Sequence, residues 1–321
     1  MLPRNKVYAA ALALLLAPAI WRAQDKQPAA KSDETPIFSS DTRLVILPAV
    51  VQDRAGHLVT NLGQDAFQVY ENNRRQAIKV FKREDVPVSL GLLIDSSGSM
   101  RDKRDKVESA AITLVKDSNP QDEVFIVNFN DEAYLDQDFT SDIKQMQKGL
   151  DKIDSRGGTA MRDAIRMSMD HLKEKGSRDK RVLLVVTDGD DNTSNVTLEN
   201  LVHQVQESDT IIYAIGLLSE EERREAKRAK RALDTLVEAS GGLAFYPKNV
   251  SEVEKIAHEV ARDLRNQYTI GYTPSNNALD GSYRTVKVIA TGPGRPVVRT
   301  RSGYYATPGR VNPTPTPRSS D

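Results

Sequence analysis

The stretch Ser89-Leu90-Gly91-Leu92-Leu93-Ile94-Asp95-Ser96-Ser97-Gly98-Ser99-Met100 restricts the fold more than any other part of the chain. An uncharged apolar run stops at a carboxylate, and hydroxyls follow. A short bounded run of this kind reads as a strand covered on both faces, as in a parallel sheet. In open α/β sheets ligands gather beyond the carboxyl ends of the strands, where Asp95, Ser97 and Ser99 fall.

Alternate positions of an extended loop point the same way, so these three residues can aim one carboxylate and two hydroxyls at a single point. Hard cations, Mg²⁺ above all, take oxygen ligands at about 2.1 Å in near-octahedral geometry and keep several waters. Three protein oxygens are too few. Gly157-Gly158-Thr159, ahead of a helical stretch, and Thr187-Asp188-Gly189, after the apolar run Val182–Val186, supply more. The expected donor set is therefore Asp95, Ser97, Ser99, Thr159 and Asp188. A single Asp-x-Ser-x-Ser is common in turns, where the side chains bond their own backbone. Three motifs in order, two of them directly after strand-like runs, point instead to a metal.

Together the three motifs resemble the metal-ion-dependent adhesion site of von Willebrand factor A-type domains, and the resemblance covers about Pro87 to Gln267. It implies that the two serines and the threonine contact the cation directly or nearly so, with the aspartates acting mainly through water. Mg²⁺ is the implied ion, with Mn²⁺ or Ca²⁺ as alternatives. The implied sheet order, 3-2-1-4-5-6, sets the Asp95 strand beside the Asp188 strand at the topological switch point. The implied partner is a protein or other macromolecule that offers an Asp or Glu carboxylate.

Composition narrows the function further. Lys and Arg number 45 and Asp and Glu number 45, so no whole-chain field draws the protein to nucleic acid or anionic lipid. The absence of cysteine excludes thiol catalysis, and His57, His171, His203 and His258 are too widely separated for a zinc site. Near the N-terminus, Arg4 and Lys6 precede an apolar stretch from Val7 to Trp21, short for a membrane span but suited to a secretory signal. Ala17-Pro18-Ala19 offers a small-x-small cleavage site. A retained anchor is the competing reading and the one expected tie to a membrane. Either way the protein is expected to be exported, to the periplasm, the cell surface or the medium.

The organisation expected along the 321 residues is a signal or anchor (1–23), a flexible polar linker (24–41), an N-terminal β segment (42–85), an α/β domain (86–266), a C-terminal β segment (267–306) and a Pro- and Thr-rich tail (307–321). Strand-like and helix-like stretches alternate through the α/β domain, which predicts a Rossmann-like, mainly parallel sheet with helices on both faces. Neither flanking β segment has strands enough to stand alone. Pairing of the two into one β-sandwich-like module is the expectation. The flanking strands, with Arg-Ser-Gly-Tyr-Tyr at Arg301–Tyr305, also resemble a bacterial exported family of von Willebrand factor A-related proteins. A capping box is expected at Ser251 and Glu254. Asp190 and Asp191 are candidates for tuning charge at the site's rim, and the charged segment Glu220–Arg231 reads as a solvated helix.

Among functions, a metal-dependent binding module leads, and the protein is not expected to be an enzyme. A Mg²⁺-assisted hydrolase on the same loop is the alternative, weakened because Ser97 stands where an aspartyl-phosphate hydrolase carries a second acid. No phosphate-cradling glycine loop and no Gly-x-Ser-x-Gly elbow occurs. A scaffold with an enclosed, purely structural metal is the third reading.

Overall fold

The computed structural model describes residues 44–151, 155–219 and 223–308. The signal or anchor, the linker and the tail beyond 308 lie outside the described residues. The described strands are β1 (Val45–Gln52), β2 (Phe67–Glu71), β3 (Arg74–Gln76), β4 (Ile78–Arg83), β5 (Val88–Asp95), β6 (Glu123–Phe129), β7 (Ala133–Thr140), β8 (Lys180–Thr187), β9 (Thr210–Gly216), β10 (Ala244–Phe245), β11 (Tyr268–Tyr272), β12 (Tyr283–Ala290), β13 (Val297–Arg299) and β14 (Gly303–Tyr305). The helices are α1 (Arg104–Asp117), α2 (Ile143–Leu150), α3 (Met161–Lys175), α4 (Leu198–Glu207), α5 (Arg223–Ser240) and α6 (Val253–Arg265).

The apolar runs become the centre of a six-stranded sheet ordered β10-β9-β8-β5-β6-β7. Every pairing in it is parallel except that of the edge strand β7. Counted from β5, this is the order 3-2-1-4-5-6. All eight residues of β5 are buried, because the sheet carries helices on both faces. Its side chains alternate accordingly. Leu90, Leu92 and Ile94 face the layer built by α1, α2 and α6, while Leu93 faces the layer of α3, α4 and α5. Gly91 interrupts the run because the Phe125 ring lies where its β-carbon would be.

The two flanking segments interleave. One four-stranded sheet runs β13-β1-β11-β4 and the other β14-β12-β2-β3, each mixing strands from before and after the α/β domain. Between them lies a core that includes Leu47, Val69, Phe67, Tyr268, Ile270 and Tyr304. The sequence suggests two short strands over residues 44–51, but one continuous β1 forms. Pro48 is tolerated within it as the register partner of Thr269.

This core also encloses charge. Glu71 is buried and accepts hydrogen bonds from the hydroxyls of Tyr272 and Tyr304, each at 2.7 Å, and from Arg284 at 3.3 Å. Arg284, buried likewise, caps the carbonyls of Asn276 and Ala278. The Arg-Ser-Gly-Tyr-Tyr segment ties this module to the α/β domain. Arg301, buried, donates to the carbonyls of Gln206 and Ser208 at the end of α4 and pairs with Asp209 at 3.0 Å. A cation there complements the negative end of the helix. Arg299 pairs with Asp263 of α6.

One local expectation needs correction. The box at the start of the last helix is made by Asn249 and Glu252, not by Ser251 and Glu254. Glu252 accepts the Asn249 backbone N–H at 3.1 Å, and a 3-10 turn over Val250–Glu252 precedes α6. The helical stripe of apolar residues does not distinguish a box two residues earlier.

Glu71→Ala removes the shared acceptor from two buried tyrosines and leaves a buried guanidinium without its counter-charge. Urea unfolding is expected to register a loss of about 3–5 kcal/mol.

Candidate metal centre

The expected donors sit at the carboxyl ends of β5 and β8 and in the loop before α3. Parallel pairing of β5 with β8 matches Ile94 to Val186, so the next residues, Asp95 and Thr187, emerge side by side. Thr187 Oγ1 donates to Asp95 Oδ2 at 2.6 Å, and the Ser97 backbone N–H donates to Oδ1 at 2.8 Å. Both carboxylate oxygens are thus held in place. The Ser97 and Ser99 hydroxyls lie 3.2 Å apart, and Ser99 Oγ donates to Asp188 Oδ1 at 2.8 Å. A continuous chain of polar atoms therefore joins four of the five residues across two strands.

Thr159 approaches Gly189, the neighbour of Asp188, from the third loop. Its hydroxyl faces Gly189, 3.7 Å from where a β-carbon on that glycine would stand. Its backbone N–H donates to Asn192 Oδ1 at 2.9 Å, and its carbonyl accepts from the Asn192 N–H at 3.1 Å. The glycines ahead of it have separate duties. Gly157 adopts φ +76°, and a side chain there would run into Asp131, whose carboxylate accepts the Gly158 N–H at 2.7 Å. The loop is closed from below by Arg156 N–H on the Ser96 carbonyl, at 2.8 Å.

The site is mostly withdrawn from water. Asp95, Ser97, Thr159 and Asp188 are buried, and Ser99 is exposed. Burial pushes the Asp95 carboxyl up to about 6, with the Asp188 charge adding to the rise and the Thr187 and Ser97 hydrogen bonds opposing it. Lys103, at the end of the 3-10 turn Gly98–Lys103, places its ammonium 2.5 Å from Asp188 Oδ2. A monovalent cation thus already sits in the donor set. The donors are all oxygen, two acidic and three hydroxylic, which fits a hard divalent cation.

Asp190 and Asp191, read from the sequence as turn residues and candidates for tuning the rim's charge, are both paired. Asp191 is tied to Arg162 at 2.8 Å and accepts the Arg162 N–H and the Ser194 hydroxyl, fixing the start of α3. Asp190 pairs with Arg228 of α5 at 2.5 Å. Sequence reasoning passed over Thr187, Lys103, Asn192 and Asp131. Thr187 lies directly before Asp188 and was legible once the two strands were set side by side; the others depend on loop conformation. Among the described residues no three His, Cys, Asp or Glu side chains gather as a metal cluster, since hydroxyls supply most of this set.

Fold and loop cluster together define a doubly wound α/β domain with a candidate, oxygen-only donor set at its switch point. Residues 90–190 match the model of the von Willebrand factor type A domain, so the chain contains a domain of that type, and such domains are in general interaction modules. It is 27% identical over 166 residues to calcium-activated chloride channel regulator 1 of Mus musculus, across 48% of this chain and 16% of that protein. It is 25% identical over 214 residues to inter alpha-trypsin inhibitor, heavy chain 4, of Mus musculus, across 60% of this chain and 22% of that protein. The matches thus cover less than a quarter of either relative's length. A solved von Willebrand factor type A structure from Catenulispora acidiphila superimposes with a TM-score of 0.46 at 14% identity, over 84% of this chain and 75% of that one.

In chelator, the raised Asp95 value makes stability depend on pH. Because the folded value of about 6 exceeds the ordinary 3.8, the contribution of a neutral Asp95 is complete below the lower value and is lost as pH rises through the higher one. Two pH units correspond to on the order of 3 kcal/mol. Asp95→Asn, neutral throughout, is expected to flatten that fall when urea unfolding is followed between the two values.

Proposed function

We propose that the chain is an exported interaction module that holds Mg²⁺, or a similar divalent cation, through Asp95, Ser97, Ser99, Thr159 and Asp188, and captures a carboxylate of a partner macromolecule there. The observation that carries this reading is the hydrogen-bonded chain from Asp95 through Ser97 and Ser99 to Asp188. It joins loops from two neighbouring strands at the switch point. Domains of this family commonly hold a divalent metal at this place, which supports the assignment.

A bound cation would supply a positive centre toward which a carboxylate is drawn. The protein's own residues do the rest. Thr187 and the Ser97 N–H orient Asp95, Asn192 fixes the Thr159 backbone, and the buried setting strengthens any charge contact made there. Ser99, the exposed member, marks the side open to a visitor. A hydroxyl at position 97, engaged with Ser99, supports binding over phosphoryl transfer through an aspartate. Among the described residues no helix is long and apolar enough to cross a membrane.

Mg²⁺ at about a hundredfold excess over its dissociation constant is expected to stabilise the wild type by about 2.7 kcal/mol, and chelator to reverse the gain. Asp95→Ala and Ser97→Ala should lose the Mg²⁺ response in thermal melts. A wild type whose melting is indifferent to Mg²⁺, Mn²⁺ and chelator overturns the reading. Capture of a partner from cell-envelope extract should likewise disappear in chelator, and capture that persists would favour a scaffold with an enclosed, purely structural metal.

A further inference from the structure

Lys103 stands in the cluster although neither the expected donor set nor the strand register accounts for it. Its ammonium rests on Asp188 Oδ2, while Asp188 Oδ1 accepts from Ser99. The two partners differ sharply in exposure. The Asp188 side chain is 1% exposed and that of Lys103 is 30% exposed, so the charge is docked on a buried carboxylate while the stem keeps an open route to water. Asp188 and Asp95 are joined through Ser97 and Ser99 in one hydrogen-bonded chain, and both carboxylates are buried. A pair of buried carboxylates needs compensation, and in this arrangement one ammonium provides it.

We propose that Lys103 is a tethered counter-ion that exchanges with the divalent cation. It docks on Asp188 when the ion is away and swings to solvent when the ion enters. The inference rests on the reading that Asp95, Ser97, Ser99, Thr159 and Asp188 hold such a cation. An ammonium and a dication sharing one carboxylate in a partly dry site repel each other strongly, so the two occupancies exclude one another. Lysine suits this role because it is a compact point charge on a flexible stem, able to leave by bond rotation alone.

The position of Lys103 makes the exchange local. It ends the same 3-10 turn that carries Ser99, so withdrawal of the ammonium requires no movement of the turn that presents a donor. Met100, buried within that turn, anchors it to the core beneath the sheet end. The three loops therefore keep their arrangement without the ion, because the carboxylate pair is never left uncompensated. The apparent affinity for the ion is also set below what the oxygens alone would give, since the ion must displace a resident charge.

Two measurements test the exchange. In the wild type, acetylation of Lys103 by an N-hydroxysuccinimide ester, read by mass spectrometry, should rise several-fold on adding Mg²⁺ in place of chelator, with exposed Lys116 as the unchanged reference. In Lys103→Met, which keeps the stem and removes the charge, calorimetric titration with MgCl₂ should give a dissociation constant about tenfold lower than wild type. Lys103 reactivity indifferent to Mg²⁺, or a Lys103→Met affinity equal to or weaker than wild type, overturns the exchange while leaving the metal site standing. A wild type that takes up no Mg²⁺ overturns both. The labelling arm uses unaltered protein and decides the matter even where Lys103→Met fails to fold.

Discussion

The hydrogen bond from Thr187 to Asp95 spans two neighbouring parallel strands, and the rest of the site depends on it. It exists because β5 and β8 are in register up to Ile94 and Val186, so each strand delivers the first polar residue after its apolar run at the same height. A buried carboxylate that lacked such partners would be an uncompensated charge costing several kcal/mol, and the loops around it would rearrange to reach water. With Thr187 on one oxygen and the Ser97 N–H on the other, Asp95 has a fixed direction. Ser97, Ser99 and Asp188 are then aligned from that fixed point.

The sandwich module imposes a second constraint, on how the α/β domain is held. That domain leaves the module after β4 and returns at β11, and these two strands pair antiparallel with Arg83 opposite Tyr268. Its entry and exit are therefore fixed one strand spacing apart. Arg299 on Asp263 and Arg301 on the end of α4 brace the same side. Because α6 runs almost directly into β11, any displacement of that helix would pull on a strand central to its sheet. The candidate metal-binding loops lie at the opposite ends of the parallel strands, so the bracing does not obstruct them.

Much of this was legible in the sequence, and the reason is periodicity. Uninterrupted apolar runs such as Val182–Val186 and Ile211–Ile215 can be satisfied only by burial on both faces, which selects the central strands, while their order was implied by the family resemblance. Two of the three motifs were legible because hydroxyl and carboxylate residues directly after such runs fall at one edge of the sheet, and the third by its resemblance to the family's Gly-Gly-Thr. What stayed hidden depends on conformation that residue type does not encode. Lys103 reads as one cation in a charged stretch until the 3-10 turn brings it back over Asp188. Asp191 reads as a turn residue until Arg162 and Ser194 close on it. Glu71 and Arg284 lie 213 positions apart, and no local pattern announces that they meet.

The chemistry of the donor set bears on what such a site can bind. Two carboxylates and three hydroxyls carry a charge of minus two when both acids are ionised, so a divalent cation leaves the cluster neutral rather than anionic. A set built from four carboxylates would hold the ion more tightly and repel any further anion. Hydroxyls in their place preserve the ion's attraction for one more oxygen donor. With Lys103 displaced by the ion, as proposed, its ammonium is added to the rim at the moment the metal becomes available. The local field seen by an approaching carboxylate then turns positive only in the loaded state. Metal loading and readiness for an acidic partner would in this way be a single event, written into one lysine four residues beyond Ser99.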